Sequence, residues 1–215
     1  MNKNKDTKIF HDFDFSDFWN DSNYALKNYV EEPPTDELIA SVEKELGYKL
    51  PASYIEMMKI HNGGLPKNTC FHTGGSLSWV DGEYVAIHGF MGIGRKKPYS
   101  LCGPKGNQFW ISQWGYPEIG ICICDCPSAG HDMIMLDYRE CGKNGEPQVV
   151  RVDQEGNYEI TFLAKNFELF VRGLVNESVY DVPDEVIKKE ALEKIEKGTF
   201  SPLLGELIKN QNALD

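Results

Sequence analysis

The sequence predicts an α+β fold, with helices packed on a largely antiparallel or mixed sheet and a helical extension at the C-terminus. Amphipathic helical segments come first, and short strand-like runs separated by hairpin-length turns follow them. After the strands, apolar residues at helical spacing predict another helix: Leu163, Phe167, Phe170, Val171 and Leu174. Because the sheet and the helices each have an apolar face, packing one on the other buries both.

The first predicted pair of helices is defined by its boundary residues. Thr35 can accept a hydrogen bond at the N-terminus of the first helix, and Gly47 can take the left-handed conformation that ends it. The apolar stripe of this helix consists of Ile39, Val42 and Leu46. The second helix begins near Pro51, whose missing N–H costs nothing in a first turn, and ends at Asn62-Gly63-Gly64. Shorter helices are predicted over residues 24–30 and 107–113.

Alternating or continuous apolar runs of ordinary strand length predict the sheet. The main runs cover residues 121–126, 133–138, 149–153 and 158–162. Turn-forming residues at 127–130 and 153–157 join them as hairpins. Two shorter strands are predicted over 69–72 and 84–87. The glycine-rich run at 89–94 lacks the spacing of a dinucleotide-binding fingerprint and is predicted to be a plain loop.

Composition and charge limit the classes of protein and partner. With 215 residues, of which 41% are hydrophobic and 26% charged, the chain has the composition of an ordinary folded domain. Its net charge of −11 disfavours nucleic acid as a partner and favours a basic protein. Residues 118–159 contain nine acids and three bases, so the acidity is concentrated in the strand region. We recognise no secretory signal and no membrane span, and therefore expect a cytoplasmic protein with free thiols.

Three cysteines in the first main strand have two interpretations. Cys122, Cys124 and Cys126 alternate with other residues, so all three thiols are expected on one face of the strand. Zinc needs ligands that converge, whereas thiols two residues apart on a strand are separated by about 7 Å. Buried thiols that pack as small apolar groups are therefore favoured, and we predict neither a metal nor another cofactor.

A motif at the first hairpin turn also has two interpretations. His131 and Asp132 follow the turn, and Asp137 lies on the next strand. These side chains can bind a metal or form an acid–base pair, which keeps a metal-dependent enzyme using His131 and Asp132 as an alternative. Histidine and aspartate after a turn can instead hydrogen-bond nearby backbone, and this structural role is favoured.

Two sets of motifs resemble the Smi/Knr family of the SUKH superfamily. The first is the helix pair with EKELGYKLPASY at 43–54, which ends in Asn62-Gly63-Gly64. The second resembles the bacterial branch of the family and comprises WGYP at 114–117, PSAGHD at 127–132, LDYR at 136–139, GEP at 145–147, and Phe167 and Phe170. The resemblance covers residues 24–175. We therefore assign residues 1–180 to one domain and residues 181–215 to a C-terminal helical extension.

This resemblance implies an α+β domain with no known catalytic activity. Bacterial relatives are mostly immunity proteins that bind and neutralise a cognate toxin, often a nuclease, whereas fungal relatives are regulatory interaction proteins. An acidic surface complements the basic groove that a nuclease uses for nucleic acid. We therefore expect a non-enzymatic immunity protein, with a regulatory scaffold that uses residues 181–215 as a further alternative. The expected partner-binding residues are Asp125, Asp132, Glu140, Trp114 and Tyr116.

Overall fold

A computed structural model of the chain describes residues 8–73 and 84–180. The chain forms two compact units, Met1–Glu177 and Ser178–Asp215, and the sheets and α-helices of the described residues belong to the first. The predicted helical extension at 181–215 lies outside the described residues, and the domain boundary after residue 180 stays a prediction. Among the described residues, no helix is long and apolar enough to cross a membrane.

The described residues contain five α-helices, which begin and end near the predicted residues in the first half of the chain. They are α1 (Asn23–Asn28), α2 (Asp36–Leu46), α3 (Ala52–Ile60), α4 (Asn107–Trp114) and α5 (Phe167–Arg172). A 3-10 helix follows at Glu177–Tyr180. Thr35 Oγ1 accepts a hydrogen bond from Leu38 N at 3.2 Å, and Gly47 ends α2 with a φ of 77°. The predicted caps of α2 are therefore confirmed.

Strands of the described residues form three sheets. The two small sheets use β1 (Trp19–Asn20), β2 (Leu65–Pro66), β3 (Cys70–His72), β4 (Tyr84–Ala86) and β10 (Leu174–Val175), with orders β1-β2 and β10-β3-β4. The large sheet uses β5 (Gly89–Phe90), β6 (Gly120–Asp125), β7 (Asp132–Asp137), β8 (Gln148–Asp153) and β9 (Glu159–Ala164), in the order β5-β6-β7-β8-β9. Every pairing between these strands is antiparallel, and the predicted α+β class is confirmed.

The core surrounds the central strands of the large sheet. Every residue of β6 is buried, as are all residues of β7 and β8 except the first of each. Because neighbouring residues of a strand face opposite sides, these strands are covered on both faces. Helix α4 packs against β6, and α5 packs against β8, β9 and α3. Strand β9 lies at the edge of the sheet, with Glu159 and Phe162 exposed.

The prediction of a plain loop over residues 89–94 is wrong at its start. Gly89 and Phe90 form β5 and pair with Asp125 and Cys124 of β6. Close packing requires the glycine, because a Cβ atom added to Gly89 would lie 2.5 Å from Cε1 of Tyr29. Gly89 therefore allows β5 to pack closely against Tyr29 at the C-terminal end of α1.

The predicted helix that begins at Leu163 also differs from the structure. Strand β9 continues to Ala164, and the Asn166 side chain then caps α5 by accepting a hydrogen bond from Leu169 N at 2.9 Å. At the other end, Leu174 belongs to β10. The apolar residues are buried as the pattern requires, but they are shared between a strand, a helix and a second strand.

Candidate functional site

Acidic residues of the strand region divide between the two ends of the β7–β8 pair. Asp132 is opposite Asp153 at one end, and Asp137 is opposite Gln148 at the other. The rise per residue of a strand separates these ends by about 17 Å. The single acidic edge expected from the sequence is therefore two groups, which we call the paired end (Asp125, Asp132 and Asp153) and the open end (Glu140 and Glu146).

At the paired end, two carboxylates flank a buried arginine. Arg151 Nη2 lies 2.5 Å from Asp132 Oδ1 and 3.1 Å from Asp153 Oδ2. Arg151 and Asp153 are buried, and Asp132 is half-buried. Their mutual attraction offsets the desolvation of each charge, and removal of one partner would leave the others uncompensated. These acids therefore serve the fold and offer little free charge to a partner.

Asp125 has its own partners inside the domain. Tyr29 Oη lies 3.0 and 2.9 Å from the two carboxylate oxygens of Asp125, and His88 Nδ1 lies 3.1 Å from Oδ2. The hydrogen bond with Asp125 raises the pKa of His88, against the opposing effect of burial. Burial, and then the charge of Asp125, raises the pKa of the Tyr29 phenol. The three side chains form one hydrogen-bonded unit between α1, β5 and β6.

Two residues expected to bind a partner are buried, which corrects their placement on a surface. Asp125 is 7% exposed and Tyr116 is 2% exposed. Tyr116 Oη donates a hydrogen bond to Gly130 O at 2.7 Å and so fixes the turn between β6 and β7. Burial also raises the pKa of Tyr116. Both side chains are engaged within the domain.

The turn after β6 brings His131 against Trp114 at the end of α4. The two rings meet edge to face, with centroids 5.9 Å apart, and Trp114 is half-buried. The Asp132 carboxylate pairs with Arg151 rather than with turn backbone, which differs from the expected turn chemistry. Ser128 holds the turn instead, since its Oγ accepts a hydrogen bond from Asp132 N at 2.8 Å. In the part of the chain that the structure describes, no three His, Cys, Asp or Glu side chains are placed to hold a metal ion.

The cysteines of the β6 region are buried thiols. A register shift places Cys122 opposite Met135 and Cys124 opposite Ile134. Because Met135 and Ile134 are neighbours in a strand and face opposite sides, Cys122 and Cys124 do so too, and the expected single face is wrong. Burial raises the pKa of both thiols and of Cys126, which keeps them protonated at neutral pH. Their environment agrees with the interpretation as packing groups.

The open end borders a shallow depression beside the edge strand β9. This depression has a volume of about 210 Å³, and its lining includes Asp137, Glu140, Glu146, Phe162 and Lys165. Glu140 and Glu146 are exposed, and neither has a hydrogen bond or an ion pair with another described residue. Phe162 is 51% exposed at its margin. The depression therefore combines free carboxylates with an accessible aromatic ring.

Two carboxyl groups in this depression have pKa values shifted in opposite directions. Burial favours a raised pKa for Asp137, but hydrogen bonds from Arg139 and Gln148 outweigh it and lower the pKa. At Glu146, burial and then repulsion from Glu168 raise the pKa. The charged form of Glu146 is thus disfavoured in the free domain, and a cation supplied by a partner would stabilise it.

Sequence reasoning missed several of the residues that shape these two ends. Arg151 could have been identified from the sequence, because a lone arginine inside a buried apolar strand needs a charged partner. Tyr29 and His88 meet Asp125 across 96 and 37 residues of sequence, and no local pattern reports such contacts. The alternation of β9 assigns Phe162 to a face but does not show that β9 is an edge strand.

Fold and motifs together define the class of this domain, a helix-flanked antiparallel sheet whose LDYR and GEP motifs line one depression. A family model described as SMI1 / KNR4 family (SUKH-1) matches residues 33–173, which is more than half of the chain. The chain therefore belongs to the SMI1/KNR4 (SUKH-1) family, as its motifs predicted. Domains of this family are commonly immunity proteins and are generally non-enzymatic binding proteins with a protein toxin as partner. A comparison with curated proteins gives no match.

Proposed function

We propose that this chain is a cytoplasmic, non-enzymatic immunity protein that binds and neutralises a cognate toxin, which we expect to be a basic protein such as a nuclease. Membership of the SUKH-1 family supports the class of function. The state of the reactive groups fits the same class. The β6 thiols are buried and protonated, Asp132 and Asp153 are engaged with Arg151, and Asp125 is engaged with Tyr29 and His88. Such groups stabilise a domain and leave recognition to its surface.

The single observation that carries the proposed binding surface is the Glu146 carboxylate. It is exposed and lines the depression beside Glu140 and Phe162, and it forms no hydrogen bond or salt bridge with a described residue. Desolvation and then the charge of Glu168 raise its pKa, so a further cation beside it would be favourable. A lysine or arginine of the toxin that enters the depression would pair with Glu146 and Glu140 and would cover Phe162. Aromatic rings in such a position contribute apolar contact area, while the carboxylates speed association with a basic surface.

Asp132 and Trp114 stay predicted contacts of the toxin, because both are half-buried and reach the surface beside the first hairpin turn. At Asp132 we expect a packing contact rather than a free charge, since its carboxylate is paired with Arg151. Substitution of Trp114 by Ala tests that part of the prediction separately from the open end. The indole packs on Trp110, with centroids 5.5 Å apart, so the unfolding free energy must be measured together with binding.

The proposed function predicts that a neighbouring gene encodes a secreted protein with a C-terminal toxin domain, and that domain is the probe for the test. We expect the full chain to restore growth of cells that express this toxin and to form a stable complex with the purified toxin domain. His131→Ala should neutralise the toxin as well as the natural chain does, because neutralisation requires no turnover. A toxin that neither binds nor is inhibited would contradict the immunity role, and loss of neutralisation in folded His131→Ala would favour the metal-dependent enzyme.

A further inference from the structure

A group of lysines near α1 differs from the other basic residues of the domain. The described residues include fifteen lysines and arginines, and seven of these form salt bridges with carboxylates: Lys49, Lys59, Lys67, Arg95, Arg139, Arg151 and Arg172. Half of the remaining eight lie on one surface formed by α1 and the loop at 95–105. We call this surface the lysine face, and its residues are Lys27, Lys96, Lys97 and Lys105.

Contacts between α1 and the loop hold the lysine face together. Tyr99 N donates a hydrogen bond to Asn28 O at 3.0 Å, and Lys97 Nζ donates to Leu26 O at 2.7 Å. Lys105 Nζ lies 5.1 Å from the centroid of the Tyr99 ring. Lys27, Lys96 and Lys97, from segments about 70 residues apart, therefore line one groove, and Lys105 adjoins it through Tyr99 of the same loop.

The acid nearest to these lysines does not neutralise their side chains. Glu31 is 8% exposed, and its Oε1 accepts hydrogen bonds from Lys96 N at 2.6 Å and from Ser100 Oγ at 2.7 Å. Its charge is thus directed at the backbone of the loop, beneath the surface. Glu32 is exposed and lines the groove, so one exposed carboxylate accompanies the three ammonium groups of Lys27, Lys96 and Lys97.

Apolar surface accompanies the charge. A shallow groove of about 660 Å³ runs between α1 and the loop, with Leu26 and Val30 in its lining. Leu26 is 43% exposed, and Tyr24 on the same helix is 48% exposed. Cations around an accessible apolar groove are complementary to a chain segment that carries carboxylates and apolar side chains.

We propose that the lysine face is a second docking surface and that it binds an acidic segment of another protein. Polyphosphate ligands are less suited, because the net charge of −11 repels a long polyanion and four lysines release few counterions. A peptide segment brings fewer charges and can place an apolar side chain against Leu26. The proposal does not depend on the toxin, since the open end is acidic and the lysine face is basic.

The test measures binding of the full chain to a fluorescein-labelled twelve-residue peptide of glutamate and leucine at low ionic strength. We expect saturable binding that weakens with added salt, no binding of the matched peptide with glutamine in place of glutamate, and weaker binding of a single-stranded oligothymidine. Lys27→Glu/Lys96→Glu should weaken the binding about tenfold or more.

The matched control is Lys44→Glu/Lys143→Glu, which reverses two lysines that also lack a carboxylate partner among the described residues. This control should bind the acidic peptide within about twofold of the natural chain. Equal loss of binding in both variants, tighter binding of the oligothymidine, or absence of peptide binding at low salt would overturn the proposal. Sedimentation of the chain alone completes the test. If the chain self-associates and Lys27→Glu/Lys96→Glu abolishes this association, the lysine face binds a second copy of the chain, and the proposal of an acidic segment from another protein is overturned.

Discussion

At the paired end of the large sheet, Asp132 and Asp153 share the buried Arg151 guanidinium, whereas at the open end Glu140 and Glu146 are exposed and form no salt bridge with a described residue. Both groups come from the same acidic stretch of sequence. The difference lies in the partner that each carboxylate has within the domain. An acid with an internal partner stabilises the fold, and an acid without one is available for a partner outside it.

The largest expected effect is at the paired end. Arg151→Met would leave the Asp153 and Asp132 carboxylates in a buried site without a counter-charge, and we expect it to lower the unfolding free energy by about 3–5 kcal/mol. Denaturant unfolding of the natural chain and the variant measures this loss.

The control for Arg151→Met also removes the two carboxylate charges that this substitution leaves without a counter-charge. Asp132→Asn/Asp153→Asn in the Arg151→Met background should recover much of the lost stability, because the amides carry no charge to bury. A cost of less than about 1 kcal/mol for Arg151→Met would show that the paired end does not depend on its arginine.

A smaller effect is expected at Asp125. Tyr29→Phe removes the phenol that lies against both carboxylate oxygens, and the buried acid would keep His88 as its remaining side-chain partner. We expect a loss of about 1–3 kcal/mol in unfolding free energy. Tyr24→Phe in α1 is the control, because Tyr24 is 48% exposed and removal of its hydroxyl should have little effect on stability. Equal losses in the two variants would contradict the assignment.

The contribution of His88 should depend on pH. Its pKa is raised in the folded protein above the ordinary value of 6.5, so the stabilisation is fully present below that value and is lost as pH rises through the folded pKa. The stability difference between the natural chain and His88→Gln should therefore be larger near pH 5 than near pH 8. We expect it to be smaller than the Tyr29 effect, because the His88 side chain is 39% exposed and solvent screens its charge. A difference that is constant or grows with pH would contradict the ion pair.

The smallest effects on stability are expected at the open end. Glu140→Gln should change the unfolding free energy by less than about 0.5 kcal/mol. Glu146→Gln should be neutral or slightly stabilising at neutral pH, because burial and then Glu168 raise the pKa of Glu146, and solvent screening at this exposed residue keeps the effect small. Thermal unfolding of the two variants measures the sign, and destabilisation by more than about 1 kcal/mol would assign these acids to the fold.

Local sequence patterns were sufficient for the elements whose signals are local. The caps of α2, the strands β6, β7 and β8 and the antiparallel class follow from side-chain periodicity and turn chemistry. The bulge in β6 changes which face Cys122 and Cys124 occupy, and it depends on pairing with β7 rather than on residue type. Asp125 is buried because it pairs with Gly89 and contacts Tyr29. Both partners are distant in sequence, so no local pattern predicts this burial. The sequence predicted Asp125, Asp132 and Glu140 as site residues but not Asp153 or Glu146, and the division of these acids into paired and open groups required the register of the sheet.

The most direct test of the central claim is the affinity of the cognate toxin for Glu140→Lys/Glu146→Lys, measured beside the unfolding free energy of the same variant. Glu32→Lys, an exposed acid without an ion pair among the described residues, is the charge-reversal control. We predict that the double variant stays as stable as the natural chain within about 0.5 kcal/mol and binds the toxin about tenfold or more weakly, chiefly through slower association. Undiminished binding by the stable double variant, or equal weakening by Glu32→Lys, would contradict the account.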